Sequence, residues 1–479
     1  MKKKVISALL ATTMVAAMLT GCGSKGSADA PATDDTQTEE PAADDAADAE
    51  EPAADDTADA APAADEGKVL NIQAWNEEFK SRLIAHYPGY EEVDGTTGKI
   101  GDVTVKWTIT PSDDNAYQNH LDESLIAQAD AADDDKVDLF LIEADYALKY
   151  VNSEYTMNVA DLGVTEDDLK DQYQYTKDVV TDSDGVLKGV SWQGCPGVLI
   201  YNREAAKEVL GSDDPADVQE SVKDWDTFLD TAKKMADAGY KMTSSTNDTY
   251  RVFSNNVTSK WVEDGKLNID ENIKNWVDMS KEMVDEGETA TYDLWSDDWS
   301  KGFYPEGKVF CYFGPAWFVD FSMAADTEGS IANQGGWGAT EGPQGFFWGG
   351  TWICVSPKTD NADMAANFIN YFTIDETSME KYALGKPEYV NNMNVMQKIV
   401  DEGSNSNPLL GGQDQFAVLH EAAKAINLNG LITPYDASIK QAFLDAVNAY
   451  CSGETADAAA CINDFKDRVA ESVTDITVE

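Results

Sequence analysis

The run VDLFLIEA, residues 137–144, is apolar almost throughout and shows no alternation of apolar with polar positions. An apolar run of that length, rich in branched and aromatic side chains, reads as a strand buried on both faces. VLNIQAW (69–75) and VTVKWTI (103–109) read as further strands. Helical periods follow. In DWDTFLDTAKKMADAG, Asp224 is placed to cap a helix, Phe228, Ala232 and Met235 share one face, and Gly239 is placed to stop it. DNADMAANFINYF repeats the pattern, with Ala365, Phe368, Ile369 and Phe372 spaced for burial. Strands alternating with helices predict an α/β fold whose parallel sheets are covered on both faces. A body of just over 400 residues predicts two such lobes.

The body begins near Lys68. Ahead of it, Lys2 to Lys4 form a basic patch, Val5 to Leu19 an apolar run, and Leu19, Thr20, Gly21 and Cys22 a motif similar to a bacterial lipobox. The apolar run is shorter than the 20 or so residues that a spanning helix needs, so residues 1–21 read as a cleaved lipoprotein signal peptide. Cys22 is then the acylation site, palmitate being the type of chain expected, and the lipid anchors the protein to a membrane. Residues 22–67 are Ala, Asp, Glu, Pro, Thr, Gly and Ser almost throughout, and EEPAADD recurs at Glu39 and Glu50. Such composition predicts a disordered tether spanning roughly 35 to 40 Å as a coil, and more under self-repulsion.

Thirty-five basic residues against 88 acidic ones give a formal net charge of -53, which repels nucleic acid and anionic headgroups. Cys195, Cys311, Cys354, Cys451 and Cys461 show no zinc-ligand spacing, so no metal or other cofactor is expected. Cys311 and Cys354 sit in apolar runs and read as core. A bridge between Cys451 and Cys461 is open as the weaker alternative to free thiols.

Several segments in order resemble the extracellular solute-binding proteins of bacterial carbohydrate ABC transporters, the maltose-binding-protein group. VLNIQAWNEEFK is similar to the first strand and ligand loop, VDLFLIEADYALKYV to the second such block, and GVLKGVSWQGCPGVLIYNRE to the hairpin and crossing strand. GKVFCYFGPAWFVDF and GGTWICVSPKTDNADMAANFINYF resemble later strands of the same series. The resemblance implies a type II periplasmic-binding-protein-like fold: two lobes, each a sheet flanked by helices, joined by a hinge of crossing strands. One lobe would take residues 68–193 plus 340–375, the other 194–339 plus 376–479. It also implies a carbohydrate ligand, a permease partner in the membrane and no enzymatic activity. The chain is expected to act as a monomer, lipid-anchored on the outer face of a Gram-positive cytoplasmic membrane.

Sugars present C–H faces and rims of hydroxyls, so their sites use aromatic platforms and planar polar side chains. Twelve tryptophans supply the platforms. Trp75, Asn76 and Glu77 follow the first strand, at the edge where open α/β sheets bind ligands. Asp145, followed by Tyr146, holds the equivalent place after VDLFLIEA. Trp192 and Gln193 precede the crossing strand. Asp248 and Tyr250 match by position an acid and an aromatic of the family's sugar site. Trp317 and Asp320 follow a Gly-Pro turn, and Tyr435 precedes a helix that Asp436 could cap. In GFFWGGTW, Trp348 reads as a cleft platform and Trp352 as core, divided by Gly349 and Gly350. Trp295 and Trp299, four apart, read as helix packing.

Three other readings compete, one of them a surface adhesin that would not close on small solutes. A surface glycosidase needs two carboxylates, which so acidic a chain could supply, but GxSxG, HExxH and P-loop motifs are absent and only His86, His120 and His420 occur. The same fold could instead take a polyamine, a metal or a peptide.

Overall fold

The computed structural model describes residues 67–385, 388–403 and 405–479. The signal peptide, Cys22 and the tether as far as residue 66 lie outside the described residues.

The first sheet contains β1 (Val69–Ala74), β2 (Tyr90–Asp94), β3 (Thr97–Ile100), β4 (Val103–Ile109), β5 (Leu139–Glu143) and β6 (Val190–Ser191). The crossing strand β7 (Pro196–Asn202) follows, then β8 (Cys311–Gly314), β9 (Trp337–Thr340), β10 (Phe346–Phe347) and β11 (Thr351–Val355). The first sheet is ordered β2-β3-β4-β1-β5-β11-β6. Its centre, β4-β1-β5, is parallel, as the apolar runs predict. Its flanks are antiparallel, because β3 pairs β4 directly and β11 returns against β5 from far along the chain. The second sheet departs further from a parallel sheet: β8, β9 and β10 all run antiparallel to β7. Every residue of β7 is buried, as a central strand bordered on both edges requires.

Local signals fare well. The helix Trp225–Asp237 opens with a capping box in which Asp224 accepts from the Thr227 amide at 2.8 Å. It buries Phe228, Ala232 and Met235, and Gly239 ends it at φ 82°. Ala365, Phe368, Ile369 and Phe372 are buried along Ala362–Ile369 and the π-helical turn Asn370–Ile374. Cys311 and Cys354 are both fully buried. Cys451 and Cys461 are free, buried thiols, which removes the bridge between them.

Two hydrophobic cores result. One surrounds the first sheet, continues onto a face of the second through Ile200, Tyr312 and Trp337, and takes in Met379, Tyr382, Met396 and Leu419 from the later helices. The other packs Tyr201, Phe228, Trp276, Phe443 and Phe465 behind the second sheet. The chain passes between the sheets at β6 to β7 and again at β10 to β11. At the first crossing a Cβ on Gly197 would lie 2.2 Å from the Phe346 ring, so the β7–β10 pairing needs glycine there. At the second, Gly349 and Gly350 hold φ of 76° and 107°. This is a two-lobed α/β fold, of the periplasmic-binding-protein type, with helices flanking each sheet. Among the described residues no helix is long and apolar enough to cross a membrane.

Candidate functional site

A cavity of about 220 Å³ lies where elements of both lobes meet. The first lobe contributes Gln118 from the helix Ala116–Ala127, Asp145 and Tyr146 from the turn after β5, and Lys149 from the short helix Ala147–Val151. The second contributes Tyr250 and Arg251 from the helix Tyr250–Asn255, and Asp436 and Lys440 from the helix Asp436–Cys451.

Asp145 is the hub. Arg251 donates from Nη1 to Oδ1 at 2.7 Å and from Nη2 to Oδ2 at 2.6 Å, and Lys440 Nζ donates to Oδ2 at 2.7 Å. Burial works against the Asp145 charge, but Arg251 and then Lys440 outweigh it and hold the carboxyl below the usual carboxylate range. Glu143 accepts from the Asp145 amide at 2.8 Å, and burial, then the Asp145 charge, push it up to about 7. Burial, followed by Arg251, lowers the Lys440 ammonium. Burial likewise pushes Asp436 up to about 7, although Thr433 donates to it.

Beside this ion group stands an aromatic cluster. The Arg251 guanidinium lies 5.4 Å from the Trp348 ring centre, within cation–π range. Trp348 meets Trp295 at 5.6 Å and Trp317 at 5.4 Å, and Trp317 Nε1 donates to the Trp348 carbonyl at 3.3 Å. All three indoles are half-buried. Trp295 holds φ 71°, a left-handed conformation that costs a bulky residue on the order of 1–3 kcal/mol and that surrounding packing must offset.

The sequence-predicted residues divide. Asp145 and Tyr250 line the cavity, and Trp317 and Trp348 form the adjoining cluster, with Asp320 half-buried in the turn Phe318–Ser322. Trp75 is half-buried and packs edge-on against the cavity residue Tyr146 at 6.4 Å. Asn76 spends its side-chain oxygen on the Glu78 amide at 2.9 Å, and Glu77 is exposed, 4.0 Å from Lys80. Trp352 is core, its Nε1 donating to the Thr176 carbonyl at 2.8 Å.

Four further candidates are placed away from the cavity lining. Trp192 is 0 % exposed and stacks on Phe79 at 5.0 Å inside the first core. Gln193 is buried, with its amide donating to Glu78 at 2.8 Å and facing Glu388 at 3.4 Å. Asp248 is 5 % exposed with both oxygens engaged, Oδ1 by Trp299 Nε1 at 2.8 Å and Oδ2 by the Ser245 amide at 2.7 Å; burial pushes it up to about 7. Tyr435 donates from its hydroxyl to Asp475 at 2.9 Å, away from the cavity lining.

Sequence reasoning missed Arg251, Lys440, Gln118 and Trp295. A cation on an otherwise apolar stretch, as in TYRVF and ASIKQAF, was the available signal for the first two; nothing local marks Gln118.

A two-lobed fold with a polar, aromatic-walled cavity between its lobes defines a solute-binding protein. A family model for bacterial extracellular solute-binding proteins matches residues 93–410, and the chain belongs to that family, whose members bind solutes without transforming them. No curated protein matches it in sequence. Among solved structures, an extracellular solute-binding protein of family 1 is similar with a TM-score of 0.69 at 18% identity, covering 84% of this chain and 100% of that one. The ABC-transporter-associated binding protein of B. animalis subsp. lactis, in complex with beta-1,6-galactobiose, gives a TM-score of 0.62 at 18% identity, covering 85% and 97%. The galacto-N-biose/lacto-N-biose I-binding protein of an ABC transporter from Bifidobacterium longum, in complex with lacto-N-biose, gives 0.62 at 14% identity, covering 87% and 100%.

Proposed function

We propose that the chain is the substrate-binding component of an ABC importer, capturing a sugar or short oligosaccharide between its lobes and handing it to a membrane permease. The observation that carries this reading is the junction at Arg251, which faces the ion group of the cavity on one side and the Trp348 ring on the other. Polar groups and aromatic faces in one place suit a ligand with hydroxyl rims and C–H faces. Trp75, beside the cavity residue Tyr146, and Trp348 with Trp317, beside Arg251, are its platforms, and Asp320 is an acid of the same site. The cavity volume of about 220 Å³ lies below the 300–1,000 Å³ common for ligand pockets, which favours a short ligand. The sugar complexes of the two transporter-linked neighbours support the same class. The chain acts as a monomer held by acylated Cys22 to the outer face of a Gram-positive membrane.

Calorimetry of the protein against D-glucose, D-galactose, beta-1,6-galactobiose and lacto-N-biose, with spermidine and a tripeptide as competitors of other classes, tests this. Saccharide binding is expected, weakened roughly 2- to 12-fold by Trp348→Ala through loss of ring contacts worth about 0.5–1.5 kcal/mol. Binding of spermidine or peptide with no saccharide binding overturns it.

A further inference from the structure

Most polar groups of the cavity wall are spoken for. Asp145 holds Arg251 and Lys440, Lys149 donates to Asp122 at 2.7 Å, and Asp436 accepts from Thr433. Two atoms are not. Gln118 Oε1 and the Tyr146 hydroxyl are buried without a hydrogen-bond partner of ordinary geometry, although the Glu143 backbone is near enough to act on the phenol, and both residues line the cavity. Tyr150 touches both residues: its hydroxyl donates to the Gln118 backbone carbonyl at 3.3 Å, and its ring lies 6.0 Å from that of Tyr146. Native proteins leave few such atoms unpaired, and each one at a site calls for an explanation.

We propose that Gln118 and Tyr146 are specificity-determining residues of this binding site, reading hydroxyl groups of the bound saccharide; the proposal rests on the saccharide reading above. The chemistry of the two atoms selects the ligand. An amide oxygen only accepts, so the ligand must bring a donor to Gln118. A carboxylate or phosphate brings acceptors alone and leaves Gln118 Oε1 unmatched. A metal ion or polyamine brings no acceptor, and so leaves the phenol proton of Tyr146 unmatched. A neutral hydroxyl donates to Gln118 and both donates to and accepts from the phenol, which satisfies the pair without adding charge. The aromatic cluster supplies stacking area, and the Gln118–Tyr146 pair supplies discrimination among sugars that differ in one hydroxyl. A site built to pair a hydroxyl rejects the analogue lacking it far more strongly than it rejects a change in apolar bulk.

The test uses the full chain and two variants, Gln118→Leu and Tyr146→Phe, titrated with whichever of D-glucose and D-galactose binds the wild type more tightly, and with its monodeoxy analogues. Each variant is expected to lose about 10-fold or more in affinity for the parent sugar, without losing thermal stability, since the group removed has no hydrogen-bond partner of ordinary geometry inside the protein. One deoxy analogue that binds the wild type poorly should bind the matching variant no worse than the parent sugar does. Equal affinity of wild type and both variants overturns the inference while leaving the saccharide reading intact. So does a variant that weakens every analogue by the same factor. Failure of the wild type to bind either sugar, or the two disaccharides named above, overturns both.

Discussion

Replacing Asp145 by asparagine removes one charge from a group in which three hydrogen bonds, at 2.7, 2.6 and 2.7 Å, cross from one lobe to the other. The side chains of Asp145, Arg251 and Lys440 are only 14, 16 and 13 % exposed, so the two cations left behind would be poorly solvated and would repel each other. Breaking a buried pair by deleting one partner costs about 3–5 kcal/mol; the residual exposure places this case near the lower end, about 3 kcal/mol. The cost does not fall on either core, because Asp145 follows β5 of the first sheet while Arg251 and Lys440 stand on helices packed in the second core. It falls on the contact between lobes. A change of about 3 kcal/mol shifts an open–closed equilibrium by roughly two orders of magnitude. Small-angle X-ray scattering of Asp145→Asn should therefore show a larger radius of gyration than wild type, with an unchanged circular dichroism spectrum. The double variant Asp145→Lys, Arg251→Asp should recover part of the compaction. Scattering identical to wild type at low salt, where the ion group counts most, would refute the reasoning.

Three further outcomes are expected. Trp192→Ala should destabilise the chain by about 3–5 kcal/mol, since a fully buried ring stacked on Phe79 is lost; an unchanged urea midpoint would return Trp192 to the surface. Asp248 and Asp436 are both pushed up to about 7 by burial, so the folded chain binds more protons than the unfolded one between roughly pH 4 and 7. Their contribution to stability is complete below the ordinary carboxylate range and is lost as pH rises through 7, so the denaturant midpoint should fall from pH 5 to pH 8; a rise would contradict the burial of these two carboxyls. Cys195, Cys311, Cys354, Cys451 and Cys461 are free and buried, and burial raises the Cys451 and Cys461 thiols to about 12 and 11. A disulfide-exchange reagent should leave all five unmodified in the native protein and titrate them on unfolding; two thiols missing after unfolding would restore the Cys451–Cys461 bridge.

What the sequence determined by itself is what short-range physics decides. Short apolar runs placed β1, β4 and β5, and Asp224 and Gly239 marked the ends of one helix, because apolar runs, caps and left-handed stops depend on a few adjacent residues. Inside GFFWGGTW the burial of Trp352 was legible for the same reason, because it enters a buried strand, whereas Phe346 ahead of the glycines is buried as completely. The tertiary structure alone decided which equally aromatic or acidic positions reach the cavity. Trp192 and Trp348 look alike in sequence, yet one packs on Phe79 and the other beneath Arg251, because segments from elsewhere in the chain cover the first completely and the second only in part. Asp145 finds Arg251 across 106 positions and Lys440 across 295, and no local pattern encodes a partner at that distance. Burial and ion pairing are properties of what the rest of the fold brings alongside, and for that reason the strands could be read in advance while the interior of the cleft could not.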